Sequence, residues 1–188
     1  MPLAMKNQKY SYADYLTWPD EERWEIIGGE AWNMTPSPTT GHQRIVFNLA
    51  VTLGVEIKKG RCLPFVSPMD VVLDDDNVVQ PDFFVVCNKK KITPVNVRGA
   101  PDLIVEVISP ATRIRDKREK RKLYERFGVK EYLIFHPEDA IVERFHLVDG
   151  LYAAADVFNW DEVLTLDTFP EITLNLWQIF DKALPDKD

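Results

Sequence analysis

Pro101-Asp102-Leu103-Ile104-Val105-Glu106-Val107-Ile108-Ser109-Pro110 is the stretch that decides the fold. Its middle is a short, β-branched apolar run between turn-forming ends, the pattern of a central strand buried on both faces. Glu106 puts a charge inside that run. An isolated carboxylate there costs several kcal/mol, so it has to be protonated, ion-paired or bound to a metal. A second run, Val78-Val79-Gln80-Pro81-Asp82-Phe83-Phe84-Val85-Val86, carries Asp82 after Pro81, 24 residues upstream of Glu106. Read as one strand, it places Asp82 mid-strand beside the strand of Glu106. Two neighbouring strands with one misplaced carboxylate each point to a metal site.

The helix that follows points to the same place. From about Thr112 to Phe127, ending at Gly128, the core-facing stripe is Leu123, Tyr124 and Phe127. Stepping back by three and four residues reaches Lys120 and then Asp116, neither of which suits a buried stripe. Both should therefore lie against the sheet near Glu106, while Lys117, Arg118, Glu119, Arg121 and Lys122 face solvent. Thr112 is the expected N-cap, at a helix start that could also hold a phosphate.

Further out, Ser11 with Asp14 signals a short helix over 11–16. Arg23-Trp24-Glu25-Ile26-Ile27, Gly28-Gly29 and Glu30-Ala31-Trp32-Asn33-Met34 read as a β-hairpin with a primed two-residue turn. A helix over about 40–57 carries the stripe Val46, Leu49 and Leu53, which extends back to His42. Strands are expected near 65–73, 78–87, 102–109 and 131–135. Two or three more should fall between Ala140 and Leu166, with a short helix over 174–183. The expectation is a single domain over 1–188 of α/β or α+β class: a mixed central β-sheet flanked by helices, with an N-terminal β-hairpin and a C-terminal β-extension.

The bulk numbers narrow the function. In 188 residues, 45% hydrophobic and 28% charged content suits one globular domain. No run approaches the ~18 apolar residues of a membrane span, and the N-terminus lacks a signal pattern, so no membrane and a cytoplasmic location are expected. Cys62 and Cys87 lack metal-ligand spacing and are read as reduced and buried. The net charge of −7 argues against a protein that coats nucleic acid, because phosphate contacts need basic surface. It leaves room for a local basic patch at Lys89-Lys90-Lys91 or between Arg113 and Lys122, although such runs are usually solvated faces. The five tryptophans, at 18, 24, 32, 160 and 177, are scattered and form no sugar platform. A glycosidase using the carboxylate pair is therefore the weaker enzyme reading.

Tyr15-Leu-Thr-Trp-Pro-Asp20, Glu25-Ile-Ile-Gly-Gly-Glu30, Pro36-Ser37-Pro38, Gly41-His42-Gln43, Val79-Gln80-Pro81-Asp82 and the stretch from Pro101 to Pro110 stand in one order. Asp116, Lys120, Tyr124 and Gly128-Val-Lys-Glu-Tyr132 continue it. Together these blocks resemble the Uma-two family of endonucleases, within the PD-(D/E)XK (restriction-endonuclease-like) superfamily. The resemblance implies a restriction-endonuclease-like core and metal-dependent cleavage of nucleic acid, DNA foremost. The superfamily's Glu-x-Lys would place a lysine at 108, where this chain has Ile108. The closer resemblance and the helix spacing both offer Lys120 instead.

Asp82 and Glu106, with the backbone carbonyl of Val107, are then the expected ligands of Mg²⁺ or Mn²⁺, and Lys120 the group that orients water or neutralises phosphate. Glu30, His42, Asp70 and Asp116 are secondary candidates. A two-fold homodimer, through the hairpin or the segment Leu174 to Phe180, would suit a duplex. The alternative is a catalytically silent nuclease fold that binds nucleic acid or protein.

Overall fold

The computed structural model describes residues 8–19, 21–34, 37–109 and 116–184. Ser11 caps α1 (Tyr12–Tyr15) through a reciprocal pair of bonds with Asp14. β1 (Trp24–Ile27) and β2 (Glu30–Asn33) form the expected hairpin, with Gly28 and Gly29 both at positive φ, as a type I′ turn requires. α2 (Thr40–Lys58) starts at Thr39, whose side chain accepts from the His42 amide. Its buried stripe is His42, Ile45, Leu49, Leu53 and Ile57, one residue off the predicted line at Val46.

Two expected strands are each broken into two. Residues 65–73 divide into β3 (Leu63–Val66) and β4 (Val71–Asp74) around the cis Ser67–Pro68 bond. The run at 78–87 divides into β5 (Asn77–Val79) and β6 (Phe83–Val86). Proline has no N–H to give a ladder, and Pro81 stands where the chain leaves one sheet for another. Asp82 is therefore in a bend between sheets, not mid-strand.

β5 belongs to a five-stranded sheet, β2-β1-β5-β4-β7, with β7 at Val97–Arg98. β6 belongs to a seven-stranded one, in which β3, β6, β8 (Leu103–Val107) and β9 (Glu131–His136) lie side by side. β6 and β8 are antiparallel, and β8 and β9 are parallel. Between them the chain passes through a π-helical turn, Asp116–Lys120, and α3 (Arg121–Phe127), closed by Gly128 at φ 75°. The expected cap at Thr112 lies outside the described residues. The order α2, β3, β6, β8, α3, β9 is the predicted core.

The C-terminal extension is longer than expected. It comprises β10 (Ile141–Val148), β11 (Leu151–Tyr152), β12 (Asp156–Asn159), β13 (Val163–Thr165) and β14 (Thr173–Asn175), then the one-turn α4 (Leu176–Ile179). Leu174, Leu176 and Ile179 are fully buried in the chain's own core beside α2. Buried Glu131 anchors the extension by accepting the amides of Asp167 and Thr168.

Alternation along β8 sorts the core. Leu103, Val105 and Val107 face α2 and the C-terminal segments, whereas Ile104 and Ile108 face α3 and the five-stranded sheet. Glu106 shares the second face. The cysteine reading is corrected: Cys62 and Cys87 form a disulfide. They flank β3 and β6, and the register pairing Leu63 with Val86 sets them opposite each other. A separation of 25 residues in sequence carries no trace of that pairing. No helix of the described residues is long and apolar enough to cross a membrane.

Candidate active site

Glu106 meets its counter-charge where the helix spacing put it. Lys120 Nζ lies 2.8 Å from Glu106 Oε1, and the Tyr124 hydroxyl donates to the same oxygen at 2.8 Å. Residues four apart share a helix face, which is why both reach one strand residue. Burial, then the Glu106 carboxylate, hold the Tyr124 phenol well above its ordinary pKa, so it stays a donor.

The same ammonium has a second partner that sequence reasoning missed. Glu25 Oε1 is 2.7 Å from Lys120 Nζ, and it also accepts the Gln80 amide at 2.9 Å. Ile26 of β1 points into the cluster under α1, so Glu25 and Ile27 point the other way, towards the large sheet. Glu25 and Lys120 are 0% and 2% exposed as side chains, so this is an interior ion cluster. The signal was available: Trp24-Glu25-Ile26-Ile27 holds a charge in an apolar run, just as β8 does. In a short hairpin such a charge reads as the solvent face, and the second sheet that covers it is invisible in sequence.

Asp82 meets β8 at the residue after Glu106. Its Oδ2 accepts the Val107 amide at 2.8 Å and lies 3.1 Å from His42 Nε2, a contact that needs the proton on that nitrogen. One residue of β8 thus separates the Asp82 carboxylate from Glu106. Both bonds fall on Oδ2, so Oδ1 remains an acceptor, and Asp82, at 15% side-chain exposure, is more open than Glu106 at 5%. His42, a secondary candidate, is thereby brought to the site.

Asp70 is linked to the site through Gln80. Its Oδ1 accepts from Gln80 Nε2 at 2.8 Å and from the Tyr15 hydroxyl at 2.9 Å. Glu30 is not brought in: it pairs with Lys9 on the surface, both more than 60% exposed. Asp116 opens the π turn, and its side chain lies outside the described part of the structure. Lys89, Lys90, Arg118 and Lys122 are exposed, as a solvated face or a local basic surface would require.

A sequence profile of the family described as "Uma2: Putative restriction endonuclease" matches residues 12–176. The chain belongs to the Uma2 family. The motif resemblance drawn from the sequence therefore holds. Two cyanobacterial relatives from Synechocystis sp. (strain ATCC 27184 / PCC 6803 / Kazusa) are similar to this Uma2 chain. "Uncharacterized protein sll1609" is 29% identical over 142 residues, 72% of this chain and 80% of its own. "Uncharacterized protein slr1290" is 25% identical over 145 residues, 75% of this chain and 76% of its own. A solved structure titled as a "putative nuclease belonging to DUF820 from Anabaena variabilis ATCC 29413" shares the Uma2 chain's fold. Its TM-score is 0.76 over 91% of this chain and 97% of that one, at 17% identity.

A second charged group of this Uma2 protein lies at the end of β9. Glu143 pairs with Lys117 at 2.5 Å and lies 3.4 Å from His136 Nε2. His136, and then Lys117, hold the Glu143 carboxyl down at about 2 against the opposing effect of burial. A carboxyl depressed in the folded state adds stability above its unfolded value of 4.5, and loses it as pH falls towards about 2. Urea midpoints measured across that window should fall less steeply for Glu143→Gln than for wild type. Parallel curves would show that Glu143 is not a source of acid lability.

Proposed function

We propose that this protein hydrolyses phosphodiester bonds of nucleic acid, DNA foremost, with Mg²⁺ or Mn²⁺, at Asp82, Glu106 and Lys120, as one nuclease domain. One observation carries the reading. Glu25 and Glu106 share the Lys120 ammonium, and Asp82 accepts the backbone amide of Val107, the residue after Glu106.

The donor chemistry fits a hard divalent ion, which takes oxygen ligands. Among the described residues no three His, Cys, Asp or Glu groups converge as a ready-made metal cage. Mg²⁺ in particular is commonly held by one or two carboxylates together with waters and substrate phosphates. Asp82 and Glu106, joined by the Val107 carbonyl, are the residues that would hold it. When bound, the ion supplies Lewis acidity at the phosphate and a more acidic water.

The protein's own groups do the rest. His42 and the backbone amide of Val107 hold the Asp82 carboxylate through Oδ2. Tyr124 and Lys120 fix Glu106, and Glu25 holds the Lys120 ammonium at the strand end. Lys120 keeps positive charge beside the position of the scissile phosphate. A homodimer, whose two-fold axis would match that of a duplex, belongs to this reading. A light-scattering mass equal to the 21.7 kDa monomer counts against it.

Calorimetric titration of Mn²⁺ into wild type and Asp82→Ala tests the proposal. Binding by wild type and its loss in the variant are expected. Equal binding by both proteins removes Asp82 from the site. A second reading, the silent nuclease fold that only binds nucleic acid or protein, is favoured by the near-complete enclosure of Lys120 between two carboxylates. In that reading wild type binds no Mn²⁺ even with a non-hydrolysable oligonucleotide present.

A further inference from the structure

A cavity of about 560 Å³ opens beside the candidate site, with Gln80 and Asp70 among its lining residues. Its size is that of a small-molecule pocket. Its walls are aromatic: Tyr15, Trp18 and Trp24 line it, with ring centroids 5.5 Å apart from Tyr15 to Trp18 and from Trp18 to Trp24. Its polar wall is a short relay. Arg23 donates to Gln80 Oε1 through Nε at 3.0 Å and Nη2 at 2.8 Å, and Gln80 Nε2 donates to Asp70 Oδ1.

Two groups on this relay keep hydrogen-bonding capacity among the described residues. Both bonds to Asp70 fall on Oδ1, which leaves Oδ2 as an acceptor. Arg23 uses Nε and Nη2, which leaves Nη1 as a donor. An acceptor and a donor near flat aromatic walls match the edge and face of a nucleobase. The charge of the lining argues against a phosphate: Glu21, Glu22 and Asp70 stand against Arg23 as its one basic group. A phosphate is repelled there and a neutral base is not.

The distance to the chemistry is short. Gln80 precedes Asp82 by two residues, a span of at most about 7 Å along an extended chain. That is the reach from a nucleotide's phosphate to its own or the adjoining base.

We propose that this cavity seats one unstacked nucleobase of the strand being cut, with Trp18 and Tyr15 against its face and Asp70 and Arg23 at its edge. This rests on the nuclease reading and deepens it: the substrate is a single-stranded or locally opened strand. Asp70, one of the sequence candidates, becomes a specificity residue instead of a metal ligand. A base of this kind shows both a donor and an acceptor on one edge, as guanine does on its Watson–Crick edge.

The test deletes the base and leaves the protein intact. A short labelled single-stranded oligonucleotide is bound to wild-type protein in Ca²⁺, either intact or with one base removed at each position in turn. Base–aromatic stacking is worth about 1–3 kcal/mol per base, so removal at one position should weaken binding at least about fivefold, with smaller losses elsewhere. The blunt duplex of the same sequence should bind more weakly than the single strand. Guanosine should compete and quench tryptophan fluorescence, whereas inorganic phosphate should do neither.

Equal affinity for every abasic form, or a preference for the duplex, overturns the pocket assignment. If Mn²⁺-dependent cleavage persists in that case, the nuclease reading stands without it. Failure to bind or cut any nucleic acid overturns both.

Discussion

Lys120→Met should destabilise the protein by about 3–5 kcal/mol, the usual loss when one partner of a buried ion pair is removed. Lys120 is enclosed at 2% exposure, 2.7 Å from Glu25 and 2.8 Å from Glu106. Removing its charge takes the shared ammonium away from two buried carboxylates, which also accept from the Tyr124 hydroxyl and the backbone amide of Gln80. Against a total stability of about 5–15 kcal/mol, that is enough to unfold a marginal domain at physiological temperature. The control is the triple variant Lys120→Met, Glu25→Gln, Glu106→Gln. Breaking a buried pair is far worse than replacing all of it, so the triple variant should regain most of the loss. Urea unfolding of the three proteins reads this directly. A Lys120→Met protein as stable as wild type would mean that water reaches the cluster and that its enclosure is overstated.

Cleavage should be lost in Asp82→Asn and in Glu106→Gln while folding is retained. Both changes keep the shape of the side chain and remove the negative charge that would hold the cation. Charge stabilisation of this kind is worth several kcal/mol at the transition state, and about 3 kcal/mol is already more than a hundredfold in rate. Asp82→Asn is the cleaner of the two, because its amide oxygen can still accept from the Val107 amide. Single-turnover cleavage of single-stranded and plasmid DNA in Mn²⁺, with circular dichroism on the same samples, separates activity from folding. Purified Asp82→Asn cutting at the wild-type rate would remove that carboxylate from the chemistry.

Glu106 and Lys120 were legible in the sequence because each breaks an apolar pattern that admits one structure only. A buried strand has no solvent face to hide a carboxylate, and a helix stripe fixes its faces by spacing. Glu25 breaks a pattern too, but a four-residue strand is too short to show which face is covered, and the cover comes from another sheet. The split at Pro81 was legible as a missing donor, yet the neighbouring valines and phenylalanines read through it as one strand. His42 needed the fold, since a histidine at the start of a buried stripe is ordinary until Asp82 is seen beside it. The cysteine pair needed the β3–β6 register, which local sequence does not encode.

The hairpin sheet precedes the helix-and-sheet core in sequence, but Glu25 gives it a different standing. Lys120 is shared between a strand at the beginning of the chain and one in its middle, so the unit that can be cut out and still work does not begin at α2. A fragment trimmed to the helix-and-sheet core would keep Asp82, Glu106 and Lys120 and lose the third carboxylate, along with most of the base-sized cavity's aromatic wall. Engineering or grafting this scaffold should therefore treat β1 and β2 as part of the working tool, and leave the buried C-terminal segment from Leu174 to Ile179 in place as well.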